Sequence, residues 1–182
     1  VYGTVVGNGR ITESTPPAPT YLYAAGKVAQ EYLIRTWTHQ RAVSCTMLRL
    51  PGIYGANDRR TSIVSKLFHL ACQGESFNLV TDGNELRDYI AVAELALCVE
   101  QLVAAAEVPE VLNIGSGVSV SINDLLQLVE RVSGKQIEVA RAAAAKPGFD
   151  IVVDDSLLRR TLETWPFSSL ESGLRYYADS LR

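Results

Sequence analysis

The chain has 182 residues, of which 47% are hydrophobic and 20% charged, and carries a formal net charge of −3. This is the make-up of a soluble globular protein long enough to bury a sizeable core. The weak acidity and the lack of a basic stripe interleaved with aromatics argue against a nucleic-acid surface, and no apolar run is long enough to span a bilayer. Cys45, Cys72 and Cys98 are scattered without metal-ligand spacing, and His39 and His69 stand alone. No metal centre is expected from them, and the dispersed cysteines suit reduced thiols in a cytoplasmic protein.

In chain order, residues 1–3 read as the end of a strand and 4–19 as a Gly/Pro/Thr-rich loop. Residues 20–39 read as a long helix, with Pro19 and Thr20 at its start. Val43 to Leu50 holds enough β-branched residues to be a strand, ended by Pro51 and Gly52. From Thr61 to Gln73, Ile63, Val64, Leu67, Leu70 and Ala71 fall on one helical side, and Gly74 suits a C-terminal cap. Phe77 to Val80 is a short strand, followed by an Asp82-Gly83 turn. Val92 to Ala106 is helical, and Val111 to Ile114 a short strand. Ser121 caps a helix with the stripe Ile122, Leu125, Leu126, Val129 and Val132, closed by Gly134. Gln136 to Ala140 suits a strand, 141–150 a surface loop, and 155–163 and 169–181 two short helices.

The most informative chemistry is the pair Tyr23 and Lys27. Residues i and i+4 share a helix face. An ammonium beside a phenol favours the phenolate, and a phenolate in a cleft is a general base for a substrate alcohol. The spacing alone also suits two solvated side chains. Tyr21 is six residues from Lys27 and falls on a different face. Glu31 continues the Tyr23–Lys27 face by another turn, with a structural ion pair as its expected role.

The neighbouring motifs give the pair its context. Val1-Tyr2-Gly3, Ile11-Thr12-Glu13 with Pro16-Pro17, Tyr23 to Lys27 followed by Glu31, Leu48 to Gly55, Asp82 to Ile90, and Asn113 to Gly117 occur in that order. Together they resemble the extended short-chain dehydrogenase/reductase family, the NAD-dependent sugar-nucleotide epimerases and dehydratases. The resemblance runs nearly end to end. The family's opening Gly-x-x-Gly-x-x-Gly loop, which lets a pyrophosphate approach a helix N-terminus, is not in this sequence. The family's catalytic Ser or Thr would fall before Val1. The chain therefore reads as the C-terminal half of a longer protein, expected to aggregate or fold marginally when isolated because its sheet edges lack neighbours.

The resemblance implies an α/β fold: the C-terminal part of a doubly wound Rossmann-type parallel sheet, residues 1–50, plus a smaller α/β substrate-binding region, mainly 51–182, with some segments returning to the sheet. It implies Tyr23 as catalytic base and Lys27 as its partner and a cofactor ligand. Pro51, Gly52 and Ile53 would lie beside the nicotinamide end of NAD, with NADP the alternative. Arg87 would reach the nucleotide diphosphate, its fork suiting paired oxygens. Tyr89 and Asp150 would be substrate ligands, and Asp88 structural. Two departures stand out: Gly52 replaces an Asn common in the family, and Lys146-Pro147-Gly148-Phe149-Asp150 replaces Arg-x-Gly-Asp, with Phe149 intervening. The implied activity is epimerisation of a nucleotide-sugar through a keto-sugar, of the UDP-glucose 4-epimerase type. The alternatives are 4,6-dehydration or keto-sugar reduction, or a non-catalytic fragment. A homodimer through the Tyr–Lys helix is a further implication.

Overall fold

The structure, a computed structural model, describes residues 1–3, 10–58, 62–146 and 148–181. Residues 4–9 of the expected loop, the expected helix start at Thr61, and both Pro147 and the side chain of Lys146 lie outside the described residues.

Six helices are described: α1 (Leu22–Gln40), α2 (Ile63–Gln73), α3 (Val92–Ala104), α4 (Ile122–Ser133), α5 (Ser156–Thr161) and α6 (Leu170–Asp179). Their ends follow local chemistry. The Ser62 hydroxyl accepts from Ser65 N–H at 3.1 Å and Ser121 accepts from Asp124 N–H at 3.0 Å, satisfying amide groups that a helix start leaves unpaired. Gly74 and Gly134 end α2 and α4 in the left-handed region, at φ 69° and 70°, where a side chain would be strained.

The strands are β1 (Met47–Arg49), β2 (Gly52–Tyr54), β3 (Phe77–Thr81), β4 (Leu86–Ala91), β5 (Val111–Asn113), β6 (Ser119–Ser121) and β7 (Val139–Lys146). The described strands form three small sheets: the parallel pairs β1–β5 and β3–β7, and the order β2–β4–β6, in which β2–β4 is parallel and β4–β6 antiparallel. The α/β architecture with parallel pairing is the one expected. Several local expectations are corrected. Residues 1–3 are not in a strand, and the strand expected over 43–50 is confined to Met47–Arg49. Gly52 opens β2 instead of merely ending a strand, because its backbone pairs with Tyr89 of β4. Residues 141–146, expected in a loop, extend β7 alongside β3.

Strand β4 lies between two cores. Tyr89 and Ala91 join the apolar cluster of α2, α4 and α6, whereas Ile90 joins Cys98, Leu112, Ile114 and Leu158 in the second. Opposite directions for alternate residues are the strand's own geometry. Burial on both sides hides the polar alternation that marks a strand in sequence. The Cys98 thiol, fully enclosed in the second core, is pushed up to about 11 by burial.

Candidate functional site

The site is built on the exposed first turns of α1. Tyr23 and Lys27 share one face, with the Lys27 ammonium 5.6 Å from the Tyr23 ring centroid. The ammonium donates to Gln30 Oε1 at 3.2 Å. Tyr21 caps the helix from outside, and its ring lies parallel to that of Tyr23 at 6.4 Å. Tyr23 is 69% exposed, and its hydroxyl makes no hydrogen bond among the described residues. It is thus free to meet a ligand.

One turn further on, Glu31 fastens α1 to the sheet. Arg49 of β1 donates from Nε to Glu31 Oε1 at 3.0 Å and from Nη2 to Glu31 Oε2 at 2.7 Å. This paired geometry is the strong form of a carboxylate–guanidinium contact. Arg49 Nη1 also donates to the Tyr2 hydroxyl at 2.9 Å, and that hydroxyl donates to Asn113 Oδ1 at 2.5 Å. Asn113, fully buried on β5, closes the network by donating from Nδ2 to Ile11 O at 3.2 Å and from its backbone to Glu13 Oε1 at 2.9 Å. Burial raises the Tyr2 pKa, while the Arg49 contact opposes the rise; the Glu31 contact holds Arg49 firmly charged. The ion pair expected of Glu31 is present. Its partner was not apparent from sequence, although an arginine among Met47, Leu48 and Leu50 is a cue, since charges amid apolar neighbours are buried only when paired.

Between α1 and the ends of β1 and β4 lies a cavity of about 630 Å³. Tyr23, Lys27, Pro51, Gly52 and Arg87 all line it. Ile53, Tyr89 and Asp150 do not. Ile53 packs against the second core, and Tyr89 is buried in the first, its phenol pushed up to about 12 mainly by burial. Asp150 Oδ1 accepts from Leu86 N–H at 2.8 Å. Gly52 is explained by a close approach: a Cβ there would stand 2.7 Å from Tyr89 Cδ1, so the Tyr89 ring fills the space a larger residue would need.

Arg87 sits at the cavity with its Cζ 4.8 Å from the Phe149 ring centroid. Its Nη1 donates to Leu86 O at 2.8 Å and to Phe149 O. Its Nε and Nη2 make no hydrogen bond among the described residues, leaving donors for an anionic ligand. Asp88 is structural: buried, it accepts from Ser116 N–H at 2.7 Å and from Ser116 Oγ at 2.5 Å. This anchors the Asn113-to-Gly117 turn to β4. Burial raises the Asp88 pKa against these donors. No group of three or more His, Cys, Asp or Glu side chains suited to a metal occurs among the described residues. No helix among them is long and apolar enough to cross a membrane.

Comparison with known proteins places the chain by family and fold. The dTDP-glucose 4,6-dehydratase of Xanthomonas campestris pv. campestris is 26% identical over 190 residues, covering 98% of this chain and 54% of the relative. The dTDP-L-rhamnose 4-epimerase of Burkholderia thailandensis is 32% identical over 122 residues, covering 64% of this chain and 34% of that protein. The chain thus spans about half the length, or less, of these curated relatives. Among solved structures, MoeE5 in complex with UDP-glucuronic acid and NAD superposes with a TM-score of 0.86 at 26% identity, over 100% of this chain and 62% of that one. The Thermotoga maritima UDP-glucose 4-epimerase with UDP-glucose gives 0.88 at 23% identity, over 100% and 60%, and supports the fold. The profile of the NAD dependent epimerase/dehydratase family matches residues 1–115, the part that holds Tyr23, Lys27, Arg49 and Arg87, and the chain belongs to that family.

Proposed function

We propose that the complete protein containing this chain is an NAD-dependent nucleotide-sugar 4-epimerase in which Tyr23 is the base and Lys27 its charged partner. The observation that carries this reading is the joint presence of Tyr23, Lys27 and Arg87 around one cavity. A proton acceptor, a cation and a guanidinium fork are what oxidation of a hydroxyl on a diphosphate-linked sugar requires.

The donor set fits the nicotinamide–ribose end of NAD: a phenol whose hydroxyl makes no hydrogen bond among the described residues and an ammonium that donates to exposed Gln30 line the cavity together. In this reading Lys27 holds the cofactor ribose, and the backbone of Pro51 and Gly52 forms the facing wall. NAD, when bound, supplies the acceptor for the sugar's C4 hydride and returns it. The Tyr23 phenolate takes the proton of the C4 hydroxyl, the C4–O bond becomes a carbonyl, and a keto-sugar results. Lys27 stabilises the ionised phenol. Arg87 holds the diphosphate through Nε and Nη2, and the keto-sugar turns over before the proton returns from Tyr23. Ile53, Tyr89 and Asp150 act from behind the cavity wall in this scheme. Tyr89 shapes the surface at Gly52, and Asp150 positions the segment next to Arg87.

Residues 1–50 form an edge of the NAD-binding region in this reading and 51–182 mainly the nucleotide-sugar region, with some segments returning to the sheet; the parallel pairing of β5 with β1 supports such a return. The same reading includes a homodimer through α1, supported by the exposure of Leu22, Tyr32, Leu33 and Trp37, and a place in the cytoplasm.

The test is turnover of UDP-glucose by the complete protein with NAD, followed by NMR at C4. Appearance of the C4 epimer, lost in Tyr23→Phe, is the expected result; intact turnover in that variant overturns the assignment of the base. A second reading, 4,6-dehydration, is favoured by the dehydratase relative that aligns over 98% of the chain. It predicts a 4-keto-6-deoxy product from dTDP-glucose instead.

A further inference from the structure

We infer that Phe149 is the stacking surface for the base of the nucleoside diphosphate, a role that rests on the nucleotide-sugar reading above. Phe149 lines the same cavity as Tyr23, Lys27 and Arg87 and is 42% exposed. An aromatic ring left partly in water gains when a second planar group covers it. The Arg87 guanidinium lies over this ring, 4.8 Å from its centroid, so the ring and the guanidinium stand together at the cavity.

The ring is held in place by its backbone. Phe149 O accepts from Arg87 Nη1, Asp150 Oδ1 accepts from Leu86 N–H at 2.8 Å, and Ile151 N–H donates to Leu86 O at 2.9 Å. On the other side, Gly148 lies so close to Glu85 that a Cβ there would stand 2.6 Å from the Glu85 Cβ. The segment 148–151 is thus laced to the start of β4, and the ring is presented without a large ordering cost on binding.

Charge decides what kind of ring it meets. A diphosphate held by Nε and Nη2 of Arg87, which make no hydrogen bond among the described residues, carries a sugar on one side and a nucleoside on the other. The sugar must reach Tyr23, so the nucleoside occupies the remaining side, next to the ring already packed on Arg87. Stacking of a base on an aromatic side chain tolerates different bases because each has a π-face.

Binding of UDP and of inorganic pyrophosphate to the complete protein, measured by titration calorimetry, tests the assignment. Phe149→Ala and Phe149→Leu should each weaken UDP binding by about tenfold while leaving pyrophosphate binding unchanged, and Phe149→Tyr should retain UDP affinity. Unchanged UDP binding in Phe149→Ala overturns the stacking role and leaves the nucleotide-sugar reading standing. Equal weakening of UDP and pyrophosphate also overturns it, since the ring would then act only by holding Arg87. Failure of the unsubstituted protein to bind either UDP or dTDP overturns the nucleotide-sugar reading and this inference with it.

Discussion

Helix α1 buries two of its 19 residues, Ala24 and Thr38, whereas α2 buries six of its 11. The layer of α2, α4 and α6 is held by apolar contact around Leu67, Leu125, Val129 and Leu174, all at 0% exposure. Helix α1 instead leaves Leu22, Tyr32, Leu33 and Trp37 in solvent and is tied to the sheet through Glu31 and Arg49. The contrast separates two tasks. The first region closes a core through non-directional burial. The second fixes the direction of one helix face through directional polar bonds, leaving Tyr23 and Lys27 open.

The largest effect expected from breaking this division is on the chemistry. Tyr23→Phe in the complete protein should lower turnover by about a hundredfold or more while leaving the melting temperature unchanged, as suits an exposed hydroxyl; a parallel loss of stability would show that Tyr23 also supports the fold. Next comes the core. Leu125→Ala should cost about 2–5 kcal/mol of unfolding free energy, whereas Leu33→Ala on α1 of this chain should change it by less than about 0.5 kcal/mol. Similar costs at both sites in denaturant titrations would erase the contrast.

Removing the guanidinium by Arg49→Leu leaves the Glu31 carboxylate, with a side-chain exposure of 16%, without its partner. A fully buried pair broken in this way loses about 3–5 kcal/mol, and partial exposure of Glu31 places the cost near the lower end. Hydrogen exchange should quicken in α1 before it quickens in α4; uniform change would mean that the ion pair acts on the whole fold.

The smallest effect concerns Asp88 and sharpens the comparison through pH. Burial raises its pKa above the ordinary value of 3.8, so the native state binds this proton more tightly than the unfolded state does. The resulting stabilisation is present below the unfolded value and is lost as pH rises through the native one. Relative to Asp88→Asn, the unsubstituted chain should therefore gain stability as pH falls from neutrality toward about 4. A difference that stays flat across that range would mean the hydrogen bonds from Ser116 fully offset the burial.

What could be read from the sequence follows from the range of the forces involved. Helices α2 and α4 were legible because their apolar stripes repeat locally and because Gly74, and Ser121 with Gly134, act within a few residues of the turns they cap; the Ser62 cap of α2 was not singled out in the sequence. Strands β2 and β6 were not, because each has three residues and exists only through pairing with β4. Strand β4 itself is obscured by burial on both faces. In β7, the run Ala142 to Ala145 lacks the β-branched residues that signal a strand. In the site, Tyr23 and Lys27 were legible because one helical turn joins them, and Arg87 because its motif accompanies theirs. Their gathering around one cavity, and the Arg49–Tyr2–Asn113 network behind it, depend on contacts that no local pattern reports.

The Tyr2–Asn113 bond spans 111 positions, and this fixes an order of events during synthesis. When Glu31 and Arg49 have left the ribosome, the strand that carries Asn113 has not yet been made. The ion pair can form early, but Tyr2 cannot be locked against Asn113 until β5 emerges and docks beside β1. Contacts of such long separation are slow to close. The polar network behind the helix that carries Tyr23 and Lys27 can therefore be completed only after more than half of this chain has been translated.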